Sequence, residues 1–133
     1  MYLLDTDTLI YFYKGTSDVV ESFRRNRAAA MALSVVTYGE LVYGAMLSGR
    51  QTQNLARVHR TAELYAVLPV TRAVMDSFAR VKADMCRAGT PVDDFDLVIA
   101  CTALSNGLTL VTNNTRHFER IPGLRIENWA RAN

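Results

Sequence analysis

Histidine and cysteine are scarce in this chain, two of each in 133 residues, and lysine is rarer than arginine by two to thirteen. Cys86 and Cys101 are too few for a disulfide framework and lack the paired spacing of a zinc site, while His59 and His117 stand isolated. Both thiols are therefore expected to be buried and inert. No apolar run approaches the ~20 residues of a membrane-spanning helix; the longest clean stretches, Ala28 to Leu33 and Leu97 to Cys101, are core-sized. Met1-Tyr2-Leu3-Leu4 reads as a strand, with no basic segment leading into a long apolar one, so no signal peptide, no membrane role and a cytosolic location are expected. The chain has no GxxxxGK[ST] and no GxGxxG, which argues against nucleotide-hydrolysing and dinucleotide-dependent enzymes, and no GxSxG serine elbow.

What is present is the composition of one globular domain spanning residues 1–133, half hydrophobic and about a fifth charged. The formal net charge of +2 says little about partners. The stretch from Gln51 to Leu64 carries Arg57 and Arg60 against Glu63 alone. An excess of arginine suits phosphate contacts, because guanidinium binds phosphate oxygens through two bonds at once, and it equally suits a GC-rich genome.

Strand and helix signals alternate. Leu3-Leu4 forms a short buried strand, followed by Asp5-Thr6-Asp7 and an aromatic helix through Tyr13. Thr16-Ser17-Asp18 caps a second helix ending at Arg24-Arg25. Met31 to Val36 is a second strand. Thr37 opens a helix with Leu41, Val42, Ala45 and Met46 at helical spacing, and Gln51 to Leu64 is another. Val67 to Val70 is a third strand, and a long helix from Thr71 stops at Gly89. A helix from about Asp94 to Asn106 precedes strands at Leu108 to Val111 and Leu124 to Ile126. This order predicts an α/β fold with a mostly parallel sheet of four or five strands, flanked by helices. Ligands of such sheets bind beyond the carboxyl ends of the strands. Asp5, Glu40, Asp96 and the Asn113-Asn114 pair converge on that edge.

Each acid has a structural reading beside the chemical one. Asp5 or Asp7 can cap the helix that follows, although one cap needs only one carboxylate. Thr37-Tyr38-Gly39-Glu40 fits a capping box, in which the glutamate reaches back to the threonine N–H. Asp93, Asp94 and Asp96 precede the apolar run Leu97 to Ala100. A helix N-terminus favours acids by ~0.3–1 kcal/mol each, which accounts for one or two of them. Three so close repel unless a cation neutralises them. Asp96 is expected to face inward, with Asp93 and Asp94 toward solvent or behind the ligands. Oxygen donors without cysteine or histidine select magnesium or manganese, and such sites suit phosphodiester cleavage.

The strings LLDTDTLI, SVVTYGELVYG, GTPVDDFDLVIACTAL and LTLVTNNTRHFERIPGLRIENW, in this order, resemble the PIN-domain toxins of the VapC kind over essentially the whole chain. The resemblance implies a PIN-like fold, a magnesium- or manganese-dependent endoribonuclease acting on tRNA or another structured RNA, a VapB-type antitoxin that binds the active-site groove, and a homodimer. It implies Asp5 and Asp96 as direct ligands, Glu40 as ligand or water-orienting base, and Asn114 as a lesser contributor. The family's fourth acidic position falls among Asn113, Asn114, His117 and Glu119. Thr112 would bind a metal-linked water or a phosphate oxygen, and Thr6, Asp7, Asp93, Asp94 and Glu119 would stand behind the ligands. Two departures are visible: Asp7 replaces the usual asparagine, and His117 stands where many relatives carry an acid. Other readings are a nuclease of RNA maturation or repair, and a non-catalytic docking module whose carboxylates bind no cation.

Overall fold

The structure, a computed structural model, describes residues 1–131. The chain runs β1 (Tyr2–Leu4), α1 (Thr6–Tyr13), α2 (Ser17–Arg25), β2 (Met31–Ser34), α3 (Val35–Leu47), α4 (Gln51–Leu64), β3 (Ala66–Leu68), α5 (Arg72–Arg87), α6 (Asp94–Asn106), β4 (Thr109–Val111), α7 (Thr115–Phe118) and β5 (Ile126–Glu127). The five strands form one sheet in the order β3-β2-β1-β4-β5, and every neighbouring pair is parallel. From β1 the chain moves outward through β2 to β3 on one side, then returns to lay β4 and β5 on the other. The order therefore reverses between β1 and β4, where open α/β sheets hold their ligands.

Alternation along the strands divides the core in two. Leu3, Ala32 and Leu110 face α5 and α6, packing with Val74, Val81, Met85, Leu97 and Ile99. Leu4, Leu33 and Val111 face the opposite way, toward Leu9, Val19, Phe23, Leu41, Val58 and Trp129. α6 is apolar all round, and its residues Leu97 through Ala103 are buried, as expected of a helix enclosed by its neighbours. Gly107 closes it in the left-handed conformation, φ 64°, which a side chain disfavours.

Several boundaries differ from expectation for identifiable reasons. β2 stops at Ser34 rather than Val36, because Ser34 itself caps α3, its hydroxyl accepting from the Val36 N–H at 3.0 Å. Thr37 thus lies inside the helix and caps nothing. Since β3 pairs with β2 as far as Ser34↔Leu68, it runs from Ala66 to Leu68 instead of Val67 to Val70. β5 starts two residues later than expected and ends one later, because Ile126 pairs with Leu110 while Leu124 bonds back to Ile121 in a turn. β4 is one residue shorter than expected, starting at Thr109. Thr16 precedes α2 as anticipated but makes no side-chain cap bond. Cys101 is buried, whereas Cys86 is exposed, on the solvent side of α5. No helix among the described residues is long and apolar enough to cross a membrane.

The short α7 was not foreseen. It is pinned by Phe118, the largest fully buried side chain. Phe118→Ala is expected to cost about 3–5 kcal/mol through lost burial and the cavity left behind. Urea unfolding checks this; a loss below about 1 kcal/mol would mean that the ring does not anchor α7.

Candidate active site

Two strands end directly in site residues. Asp5 follows β1 with a single residue between strand and helix, and it caps α1 by accepting from the Thr6 N–H at 2.8 Å. Its backbone N–H donates to Val111 O at 2.9 Å, so β4 holds it from the other side. Beyond β4, the buried Thr112 hydroxyl donates to Asp5 Oδ2 at 2.8 Å. Each Asp5 oxygen thus takes one bond, from residues 107 positions apart in the second case.

Asp7 stands beside it. Its Oδ2 accepts from the Asn113 N–H at 3.0 Å and lies 3.5 Å from Thr112 Oγ1. Asn113 is held in turn by Tyr11, whose hydroxyl accepts from Nδ2 at 3.2 Å, and by Asn128, which donates to Oδ1 at 3.2 Å. Glu40, on the second turn of α3, reaches across to α1. Thr6 Oγ1 donates to Glu40 Oε1 at 2.6 Å and lies 3.1 Å from Thr37 Oγ1. The capping-box reading of Glu40 is therefore overturned: its carboxylate is aimed at the end of β1, not at its own helix terminus.

Asp96 enters from α6, half-buried. His117 Nδ1 lies 3.4 Å from its Oδ2 and 2.7 Å from Asn114 Nδ2. The Asn114 N–H donates to Thr112 Oγ1 at 3.0 Å, which joins this group to Asp5.

Electrostatics follow from crowding. Burial, then the neighbouring Asp7 charge, push the Asp5 carboxyl up to about 7, against the bonds from Thr112 and Thr6, with Asp96 adding to the rise. Burial also raises Asp7, opposed by the Asn113 N–H. Asp96 is raised by burial and by Asp93, while His117 lowers it. Among the described residues, no three histidine, cysteine, aspartate or glutamate side chains are gathered closely enough to enclose an ion as placed. Asp5 feels the charges of both Asp7 and Asp96, like charges that hinder one another's ionisation. Their donor set is hard oxygen, and the charged forms of Asp5, Asp7 and Asp96 are disfavoured where they stand. Both properties fit a divalent cation of the magnesium class.

A family model described as the PIN domain matches residues 2–124. The chain is 38% identical over 128 residues to the tRNA(fMet)-specific endonuclease VapC of Salmonella typhimurium, covering 96% of this chain and 97% of that one. It is 40% identical over 130 residues to the protein of the same name from Shigella flexneri, covering 97% and 98%. The chain belongs to the VapC family of PIN-domain proteins. Its fold superposes on the crystal structure of DNA-bound VapBC from Salmonella typhimurium with a TM-score of 0.88, at 40% identity, covering 96% of this chain and 97% of that one.

Within this VapC fold, the residues singled out from sequence divide into two groups. Asp5, Thr6, Asp7, Glu40, Asp96, Thr112, Asn113, Asn114 and His117 come together through the bonds described above. Asp93, Asp94 and Glu119 do not join them. Asp93 caps α6 by accepting from the Phe95 N–H at 3.2 Å, and the exposed Asp94 pairs with Lys82 at 2.8 Å. Glu119 is exposed and makes no side-chain bond to the site. Thr37, Tyr11 and Asn128 were missed as supports of the VapC site. Thr37 was read as a cap, and nothing local marks Tyr11 or Asn128, which act through partners far along the chain.

Proposed function

We propose that the protein is a cytoplasmic divalent-metal-dependent endoribonuclease, the toxin of a type II toxin–antitoxin pair, that cleaves tRNA or another structured RNA. The observation that carries this reading is the meeting of Asp5, Asp7, Glu40 and Asp96 where the strand order reverses, in a chain whose VapC relatives are named for ribonuclease activity. Asp5 and Asp96 are assigned as metal ligands, with Glu40 as ligand or as base orienting the attacking water. When bound, magnesium or manganese supplies Lewis-acid activation of that water and neutralises charge on the scissile phosphate. Thr112 fixes the Asp5 carboxylate, and Thr6 fixes Glu40. Asn114 braces Thr112 and the His117 ring, and its amide is assigned as a lesser contributor to the site.

Partners follow from the surface. Solved complexes of similar chains are VapBC pairs, and a VapB-type antitoxin is assigned here. A mainly apolar cleft of about 290 Å³ lies between α1, α3 and α4, lined by Ile10, Leu41, Ala45 and Val58 together with Glu40, Lys14 and Arg57. Its apolar lining suits a hydrophobic antitoxin segment, and a basic side chain beyond it would reach Asp5 and Asp96, since a guanidinium pairs with carboxylates in a bidentate fork. A homodimer is assigned on the likeness to VapC proteins; Val35, Met75 and Phe95, exposed on α3, α5 and α6, are among the apolar side chains it could cover.

The test is cleavage of a tRNA pool in magnesium. Cutting is expected to stop with EDTA, to return when magnesium is restored, and to be lost in Asp96→Asn. Metal-independent cutting, or full activity in that variant, would remove the site assignment. Saturable cation binding with no cleavage of any RNA would remove the ribonuclease reading and leave the cation site.

A further inference from the structure

The cleft between α1, α3 and α4 carries two cations that no carboxylate of the described residues neutralises. Lys14 and Arg57 both line it and neither forms an ion pair, although Glu40 lines the same cleft. Arg57 is nevertheless held in place. Its guanidinium lies over the Tyr13 ring, 5.3 Å from the centroid, and Nη1 donates to Tyr13 O at 3.3 Å. That bond satisfies a carbonyl left open at the end of α1, which would explain an arginine here on structural grounds alone. It uses only one of five N–H donors. The others find no acceptor among the described residues.

The rest of the lining is of a different kind. Ile10, Leu41, Ala45 and Val58 make an apolar floor, and Gly44 leaves one wall without a side chain. A volume of about 290 Å³ admits one small group and no duplex. Glu40 belongs to both the cleft and the candidate active site, since it accepts from Thr6, the neighbour of Asp5. Lys14 stands eight residues beyond Thr6 on α1, about 12 Å at ~1.5 Å per residue. A stacked strand covers that distance in roughly three to four nucleotides at ~3.4 Å each. An apolar floor accepts an unstacked base, and a fixed guanidinium accepts a phosphate through two bonds at once.

We propose that this cleft holds one unstacked nucleotide of the RNA, a few positions from the cut, with its base on the apolar floor and its phosphate on Arg57 and Lys14. The inference rests on the ribonuclease reading given above. An antitoxin segment lying in the cleft would then displace substrate directly, besides reaching the carboxylates.

The experiment titrates the full chain, free of antitoxin, with a fluorescent tRNA pool in magnesium. Asp96→Asn is present throughout, so that binding is read without cleavage. Gly44→Leu fills the cleft. A Cβ at Gly44 meets nothing within 4 Å, and leucine favours a helix over glycine, so this variant should fold. Affinity should fall about tenfold in Gly44→Leu and in Arg57→Gln. It should stay unchanged in Arg87→Gln, on α5 across the sheet. Salt separates the two parts of the site. The slope of log affinity against log salt should shrink by ~0.7 in Arg57→Gln, the share of one single-strand phosphate, and stay unchanged in Gly44→Leu. Undiminished affinity in Gly44→Leu, or an equal loss in Arg87→Gln and Arg57→Gln, overturns the inference; if the wild type still cuts the pool, the ribonuclease reading stands. A pool that is neither bound nor cut overturns both.

Discussion

Asp5→Asn is expected to lower RNA cleavage by about a thousandfold or more. A bound divalent cation contributes several kcal/mol of charge stabilisation in the transition state, and each ~1.4 kcal/mol is a factor of ten in rate. Asparagine keeps the shape of the side chain and most of its bonds. Its Oδ1 can still accept from the Thr6 N–H, and its Nδ2 can donate to Thr112 Oγ1, which then turns its own hydrogen toward Asp7. The variant should therefore fold, and loss of activity will report on charge rather than on collapse of the site. Single-turnover cleavage of a tRNA substrate under saturating magnesium measures the effect. A decrease of less than tenfold would show that Asp5 holds no catalytic cation.

The same substitution should change stability in the opposite direction. In the metal-free protein, the Asp5 carboxyl is pushed up to about 7, first by burial and then by Asp7. In the unfolded chain an aspartate titrates near ~3.9. The folded state therefore holds the proton more tightly. Its contribution to stability is complete below the unfolded value and is lost as pH rises through about 7. The span of ~3 pH units corresponds to at most about 4 kcal/mol. With EDTA present, the wild type should lose stability between pH 5 and pH 8, with Asp7 adding in the same direction. Asp5→Asn should lose much less over that range and should be the more stable protein at pH 8. Urea midpoints at each pH provide the comparison, and parallel pH profiles for the two proteins would refute the account. Adding magnesium at pH 8 should recover the wild type selectively, because a ligand bound only by the folded state stabilises it by mass action.

These effects come from residues whose importance was unevenly visible in the sequence. α6 could be read to the residue, Asp94 to Asn106, because a run of acids opens it and Gly107 ends it. α4 was equally legible. Both are long enough for their pattern to register, and α6 is bounded by local chemistry as well. Glu40 was not legible from its own surroundings. The capping-box spacing was present, but Ser34 had already taken the cap, and the carboxylate turned to Thr6, 34 residues away. That choice is made by packing α1 against α3, which no local pattern encodes. α7 is four residues long, too short for periodicity to register, and it exists because Phe118 fills the core. The strands were found, but their ends were set by neighbours: β3 follows the end of β2, and β5 follows the register of β4.

The bond between Thr112 and Asp5 also bears on when the enzyme can first become dangerous to the cell that makes it. A ribosome delivers Asp5 at the outset and Thr112 more than a hundred residues later. Until β4 emerges and slots against β1, the central strand lacks one of its two neighbours and Asp5 lacks its brace. Asp96 is also unfixed, because the Asn114 and His117 group that flanks it has yet to be made. Nascent fragments are expected to be inert, with toxicity arriving only with the last fifth of the polypeptide. A partner protein need only be on hand at that late moment to meet the enzyme before it meets RNA.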